Sequence, residues 1–231
     1  FRRSRGLGDV YKRQMFVDRD GKFQLGMLST SAFKPLAASM GPMLKEESFH
    51  LGTGSNGLRR IIKAGVIPLD MLQRYINKWV STAHDLFGVD ASSSAHWAYV
   101  WGIKGRWDER KKLDSGIEVN KETLNEESRG HYHDEIVFEV EKLSKYLPEG
   151  STKLYVPHEN FNRDIGSAKG QRFTTDGEVF VGSDEDWENY LYDVLPRSQD
   201  EEDLKELFKQ EWIANKPMSA RQIESRIGAS I

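Results

Sequence analysis

The residue types best suited to chemistry are a glutamate and a histidine three positions apart, in Glu47-Ser48-Phe49-His50. On an α-helix, positions i and i+3 lie on one face, so the carboxylate and the imidazole can reach the same metal ion. The chain contains no cysteine, which excludes thiolate ligands, disulfides and iron–sulfur clusters. Any metal ion must therefore be held by His, Asp and Glu side chains.

Asp18 is the candidate third ligand, because the predicted helices bring it level with Glu47. A break near Phe33 separates a helix over 15–31 from the helix that carries Glu47. Asp18 lies 15 positions before Phe33, and Glu47 lies 14 positions after it. Since the rise is about 1.5 Å per residue, antiparallel helices joined at this break place the two carboxylates at one level. Asp20 competes with Asp18, but it lies two residues off level and is rotated away.

Carboxylate-bridged bundles of the ferritin-like type build a two-metal site from two ligand sets. Each set combines a Glu-x-x-His motif with a carboxylate on a neighbouring helix. Asp18, Glu47 and His50 amount to one such set, and the chain contains no second Glu-x-x-His. A lone motif also occurs by chance, and a helical histidine is commonly only hydrogen-bonded. The antiparallel spacing is the observation that favours a metal site here.

Hydrophobic periodicity predicts a mainly α protein. The second helix is expected to kink or restart at Gly41-Pro42, and to end at Gly52-Thr53-Gly54 before a short basic helix over 57–64. Further helices are predicted over 68–87, from a cap at Ser92–Ser94 through a Trp and Tyr cluster at 97–107, and over 121–147. The aromatic cluster is expected to be packed core, with one wall as a candidate surface for a flat aromatic substrate.

The sequence pattern changes at Pro148-Glu149-Gly150, from long predicted helices to shorter predicted elements. A short strand is predicted over 153–156, a hairpin at Asp176-Gly177, and short acidic helices from 184 onward. The predicted fold class is therefore mainly α: a partial helical bundle over 15–147, of the ferritin-like type that the Glu-x-x-His set suggests, followed by a small α+β appendage over 148–231.

Residues 1–14 are expected to be foreign to the protein. They read FRRSRGLGDVYKRQ, which is basic and lacks the apolar core of a secretory signal. The string SRGLGDVYKRQ resembles a translated adapter found at the broken ends of metagenomic reading frames. We therefore expect 1–14 to be a non-native sequencing scar, leave them out of the fold prediction, and expect the chain to be the C-terminal part of a longer protein.

Charge and hydropathy exclude several classes of partner. The 231 residues carry 33 Lys and Arg against 36 Asp and Glu, a net charge of −3. This balance gives no support for nucleic-acid or anionic-membrane binding. No apolar run approaches the roughly 18 residues that a membrane span requires.

Longer segments resemble one protein family. They are DRDGKFQL, AFKPLA, MLKEESFH, GTGSNGLRRIIKAG, NKWVSTAHDLFG, SSSAHWAYVWGIKGR and NFNRDIG, spread over most of 17–215. Together they resemble the oxygenase components of benzoyl-CoA 2,3-epoxidases, which are related to phenylacetyl-CoA epoxidases and bacterial multicomponent monooxygenases. Phe49, where another His is expected in close relatives, and Pro42 depart from the family pattern. Both departures weaken the assignment of the substrate more than that of the cofactor.

The resemblance implies a di-iron centre with Asp18 as a terminal ligand, Glu47 bridging or chelating, and His50 binding one iron. The second ligand set is expected upstream of this chain, so the fragment itself is expected to be inactive. The implied reaction is epoxidation of the ring of an aromatic acyl-CoA with O₂. Electrons would come from a separate reductase component that uses NADPH, and the enzyme would be cytoplasmic, without nucleic-acid or membrane partners.

Two alternatives to an oxygenase fragment stay open. The chain can be a non-catalytic helical interaction module with a vestigial metal half-site. It can also be a homodimer that completes the bundle by contributing the same helix pair twice.

Other motifs have simpler interpretations. Gly52–Gly57 spells G-x-G-x-x-G, but a helix precedes it where a dinucleotide site needs a strand, so a flexible helix end is favoured. Arg59, Arg60 and Lys63, like Lys104 and Arg106, are candidates for CoA phosphates, although a solvated helix face is favoured. His131 and His133 point to opposite sides of a helix and cannot chelate together, and His84 and His96 are expected to be hydrogen-bonding residues.

Overall fold

The computed structural model describes residues 7–106, 120 and 122–209. The chain divides into two compact units, Phe1–Pro196 and Arg197–Ile231. The α-helices described in the first unit are α1 (Leu7–Leu28), α2 (Lys34–Ala64), α3 (Leu69–Leu86), α4 (Ser93–Val100), α5 (Leu124–Ser144) and α6 (Asp184–Val194). The second unit contains α7 (Ser198–Lys209). The prediction of a mainly α fold is confirmed.

Helices α1 and α2 form an antiparallel hairpin with a constant register. Along this seam Met15 lies beside Gly54, Asp18 beside His50, and Gly21 beside Glu47. Each advance of three residues along α1 is matched by a retreat of three or four residues along α2. The predicted level match between Asp18 and Glu47 follows from this register.

Helix α2 is one continuous helix, so the predicted break at Gly52–Gly54 and the separate helix over 57–64 are wrong. Helical conformation runs through Pro42 and through the glycines, and ends at Gly65, which adopts φ 64° and caps the last turn. Gly54 and Gly57 are needed for packing. A Cβ at Gly54 would lie 2.8 Å from the carbonyl carbon of Gln14, and one at Gly57 would overlap the ring of Tyr11.

The first turns of α1 therefore belong to the fold, contrary to the exclusion of residues 1–14 from it. Helix α1 begins at Leu7, and Tyr11 and Gln14 contact α2 at its glycines. Lys12 is buried, with its Nζ 3.2 Å from the centroid of the Tyr75 ring. Whether 1–14 are native sequence stays a prediction.

The other face of α1 packs on α3 and α5. Phe23, Phe87 and Tyr132 meet edge to face or tilted, with ring centroids 5.5–6.4 Å apart. Arg19 and Lys22 of α1 both bind Glu135 of α5. The predicted helix over 68–87 is confirmed as α3. Most of its predicted inward positions are buried, whereas Leu69 is half-buried; the buried ones are Leu72, Ile76, Trp79, Val80 and Ala83.

The aromatic cluster beyond Ser92 is not packed core, as far as the described part of 97–107 extends. Ser92 does cap α4, accepting a hydrogen bond from the Ala95 amide. However, Trp97 is 48% exposed and Trp101 is 67% exposed, with their ring centroids 5.5 Å apart. The cluster contacts the α1–α2 turn, where the Ala32 amide donates to the Gly102 carbonyl.

The segment predicted as a strand over 153–156 is an extended connection that pairs with a side chain. The Gln73 amide on α3 donates to the Tyr155 carbonyl at 2.9 Å and accepts from the Tyr155 amide at 3.0 Å. Because one side chain satisfies both backbone groups, no neighbouring strand is required. The boundary at 147/148 stays a prediction.

The predicted hairpin at Asp176-Gly177 forms a tight turn. Gly177 has φ 86°, and Phe173 and Val179 form a single antiparallel bridge. Among the described residues this bridge is the extent of β structure, so the appendage is less β-rich than expected. Ser183 then caps α6 in a capping box with Asp186.

None of the helices in the described residues is both long enough and apolar enough to cross a membrane.

Candidate metal centre

The structure brings together the three residues that the spacing singled out. His50 Nδ1 lies 3.4 Å from Asp18 Oδ2 and 3.5 Å from Glu47 Oε2. One donor atom from each residue lies within 4.8 Å of the other two. Among the described residues, no other group of three or more His, Asp or Glu side chains brings its donor atoms this close together.

Two carboxylate oxygens of this cluster lack a hydrogen-bond partner among the described residues. They are Asp18 Oδ2 and Glu47 Oε2, and both are buried. Buried acceptors without partners are costly, at roughly 1–3 kcal/mol each. A cation between them would satisfy both. Two carboxylates and an imidazole form a donor set that suits iron, so the residues fit the metal that the family resemblance implies.

The electrostatics of the cluster also favour a bound cation. Burial raises the pKa of Asp18, and the nearby charges of Arg13 and His50 oppose that shift. Burial and the charge of Asp18 raise the pKa of Glu47, opposed by His50. Because burial disfavours the ionised state of both carboxylates, and the charge of Asp18 adds to this at Glu47, a cation bound between them would stabilise their ionised forms.

Asp20 does not join the three ligand candidates. It is buried, and the Gln24 amide donates to its Oδ1 at 3.2 Å. Burial raises the pKa of Asp20 to about 7, despite the Gln24 hydrogen bond and the charge of Lys104. The sequence-based preference for Asp18 over Asp20 thus agrees with the geometry.

The basic residues considered for CoA phosphates make contacts within the protein. Arg59 binds the Asn56 side chain, and Lys63 lies 4.7 Å from the centroid of the Tyr146 ring. Lys104 donates to Asn125, and Arg106 pairs with Glu127 at 3.0 Å. For Arg59 and Lys63, which lie on α2, these contacts agree with the simpler interpretation of a helix face. For Lys104 and Arg106 the expected solvated helix face is wrong, because neither residue lies on a helix and Arg106 is buried.

The contact between the buried His84 and the half-buried His133 was not predicted. His84 Nε2 lies 3.2 Å from His133 Nδ1, and His84 also packs edge-on against Tyr132. Burial lowers the pKa of both histidines, and each is further lowered by neighbouring cationic groups such as Arg129. The expectation that His84 is a hydrogen-bonding residue agrees with this contact, and the structure places His84 in the core. Its partner is 49 positions away, which no local pattern reveals.

Comparisons with known proteins support the resemblance. Residues 5–166 match the family model described as phenylacetic acid catabolic protein. Benzoyl-CoA oxygenase component B of Aromatoleum evansii is 31% identical over 225 residues. That alignment covers 80% of this chain and 47% of the relative, so the chain spans about half the length of the curated relative it matches. The family match begins inside the segment 1–14.

Proposed function

The chain belongs to the phenylacetic acid catabolic protein family and has its ferritin-like helical fold, and from this premise we propose that it is part of a di-iron oxygenase component. The proposed reaction is epoxidation of the ring of an aromatic acyl-CoA, similar to benzoyl-CoA, with O₂. Support for an oxygenase comes from the relative of that name. Support for the metal comes from the cluster of Asp18, Glu47 and His50.

Each residue of the cluster has a distinct role in this proposal. The iron pair supplies the reduction and activation of O₂ when it is bound. Asp18 would be a terminal carboxylate ligand on α1, Glu47 would bridge or chelate from α2, and His50 would contribute the imidazole. Their helices hold them in place through the α1–α2 register, so the ligands do not depend on a mobile loop.

The proposed centre needs a second ligand set. The chain contains a single Glu-x-x-His, whereas a di-iron centre of this type uses two. We propose that the other set lies in sequence upstream of this chain, and that the chain alone is inactive. Electrons would come from a separate reductase using NADPH, because a chain without cysteine has no ligands for an iron–sulfur cluster. We place the enzyme in the cytoplasm, where NADPH and CoA thioesters occur.

The observation that carries this proposal is the convergence of two buried oxygens, Asp18 Oδ2 and Glu47 Oε2, on His50 Nδ1, where neither oxygen has a hydrogen-bond partner in the described part of the chain. The test is a product assay on the protein extended by its upstream genomic sequence, with a reductase, NADPH, benzoyl-CoA and isotopically labelled O₂. We expect one labelled oxygen atom in the CoA thioester product. His50→Ala should abolish the product, whereas His96→Ala, at an exposed histidine outside the cluster, should not.

Two outcomes would favour the alternatives. An authentic start at Met15 together with absence of iron would indicate an interaction module with a vestigial half-site. Iron bound by two copies of this chain, each contributing Asp18, Glu47 and His50, would indicate a homodimeric site.

A further inference from the structure

Gly21 of α1 lies directly beneath the carboxylate of Glu47. A Cβ built at Gly21 would stand 3.3 Å from Glu47 Oε1, 3.5 Å from Glu47 Cδ and 3.8 Å from Glu47 Oε2. The first of these distances is shorter than ordinary van der Waals contact between carbon and oxygen. The glycine thus leaves the space in which the Glu47 carboxylate lies against the α1 backbone.

Gly21 stands one helical turn beyond Asp18 on the same face of α1. The Glu47 carboxylate therefore rests over α1 at the position that brings its Oε2 to 3.5 Å from His50 Nδ1. Asp18 Oδ2 approaches the same nitrogen to 3.4 Å. A side chain at position 21 would push the Glu47 carboxylate outward and separate these donor atoms.

Helix propensity does not account for a glycine here. Glycine is the least favourable residue in a helix interior apart from proline, and Gly21 is seven positions from the end of α1. It needs no left-handed backbone, because its φ is not positive. The surroundings of position 21 instead require that no Cβ stands near the Glu47 carboxylate.

We propose that Gly21 is a positioning residue of the metal centre, which holds the Glu47 carboxylate within reach of the ion that Asp18 and His50 also bind. The inference rests on the proposed function, because it concerns the same metal site. It assigns a role to a residue that donates no ligand.

The test compares Gly21→Ala with Gly130→Ala in the whole chain. Gly130 lies inside α5, and a Cβ there meets nothing within 4 Å. Each variant is titrated with Co²⁺, and its binding is followed by visible absorption. Each is also unfolded with urea in the presence of chelator. We expect both variants to unfold at higher urea concentration than the wild type, because alanine favours the helix.

Binding should separate the two variants. Gly21→Ala should weaken Co²⁺ binding by about tenfold, the lower end of what loss of a ligand-orienting group costs, whereas Gly130→Ala should bind like the wild type. Equal affinity of Gly21→Ala and wild type would overturn the role of Gly21 while leaving the metal site intact. A Gly21→Ala variant that unfolds more easily than the wild type would also overturn it, because the methyl group would then disturb helix packing. Absence of Co²⁺ binding by the wild type would contradict the proposed metal site itself.

Discussion

At the scale of single residues, spacing was sufficient to place Asp18, Glu47 and His50 together. The prediction used only the helical rise and the position of one turn, and the structure has that geometry. Spacing could not reveal Gly21 or the His84–His133 pair. Both depend on contacts between helices distant in sequence, which local periodicity does not encode.

The metal-free cluster should destabilise the fold through its buried carboxylates. Asp18→Asn replaces the carboxylate with a neutral amide of similar shape, and so removes the negative charge that lies beside Glu47 and raises the Glu47 pKa. We expect the variant to be more stable than the wild type by about 1 kcal/mol in chelator at neutral pH. Urea denaturation measures this difference. At a saturating metal concentration the wild type should be the more stable of the two proteins, because the variant lacks a ligand carboxylate.

The buried His84 should make the stability of the protein sensitive to acid. Burial lowers the pKa of His84 in the native state well below 6.5. Between these two pKa values the unfolded chain is protonated at His84 and the native chain is not. Stability should therefore be fully present above about pH 6.5, and fall as the pH drops from there toward the native pKa. The expected loss is up to about 1.4 kcal/mol per pH unit for one proton.

His84→Gln tests this cause. Urea unfolding at several pH values between 5 and 7.5 should show a shallower loss of stability in the variant than in the wild type. His96→Gln, at an exposed position, is the matched control. Parallel curves for wild type and His84→Gln would rule out His84 as the source of the acid sensitivity.

At the scale of elements, the α1–α2 hairpin was predictable and the continuity of α2 was not. The turn near Phe33 and the register follow from apolar spacing and from Pro35, which opens the helix. Gly52, Gly54 and Gly57 have the composition of a helix end. Two of them instead lie where the α1 backbone and Tyr11 approach α2 closely. A glycine that ends a helix and one that permits close packing look identical in sequence.

Alanine substitutions at these glycines should change the stability of the protein in opposite directions. Gly57→Ala should destabilise the protein by about 1–3 kcal/mol, the usual cost of overpacking, because its Cβ overlaps the Tyr11 ring. Gly52→Ala should stabilise it by up to about 1 kcal/mol, since nothing lies within 4 Å of a Cβ there. Thermal unfolding distinguishes the two. Similar stabilisation by both changes would contradict the packing of Tyr11 on α2.

At the scale of the whole molecule, mainly α architecture was predictable from periodicity, but the exposure of the aromatic residues was not. Apolar residues near Ser92 predict a buried helix face, and α4 is too short to bury Trp97 and Trp101 against another element. Phe33, at the adjoining turn, is also exposed. An aromatic surface of this kind favours association of the chain.

Trp101→Gln should reduce that association without changing the fold. Trp101 is 67% exposed, so its replacement removes little buried area, and the melting temperature should stay within about 2 °C of the wild type. Light scattering at increasing protein concentration should show less aggregation in the variant. A wild-type chain that stays monomeric and soluble would argue against exposed apolar surface as a liability.

The most direct test of the central claim is iron binding by the 231-residue chain itself. Anaerobic Fe²⁺ titration, with equilibrium dialysis and metal analysis, compares wild type with Glu47→Gln, His50→Ala and the control His96→Ala. We predict that wild type and control bind Fe²⁺ at one site per chain, and that both cluster variants lose about tenfold or more in affinity. Binding that is unchanged in Glu47→Gln and His50→Ala, or absent from a folded wild-type chain, would contradict assignment of the metal to Asp18, Glu47 and His50.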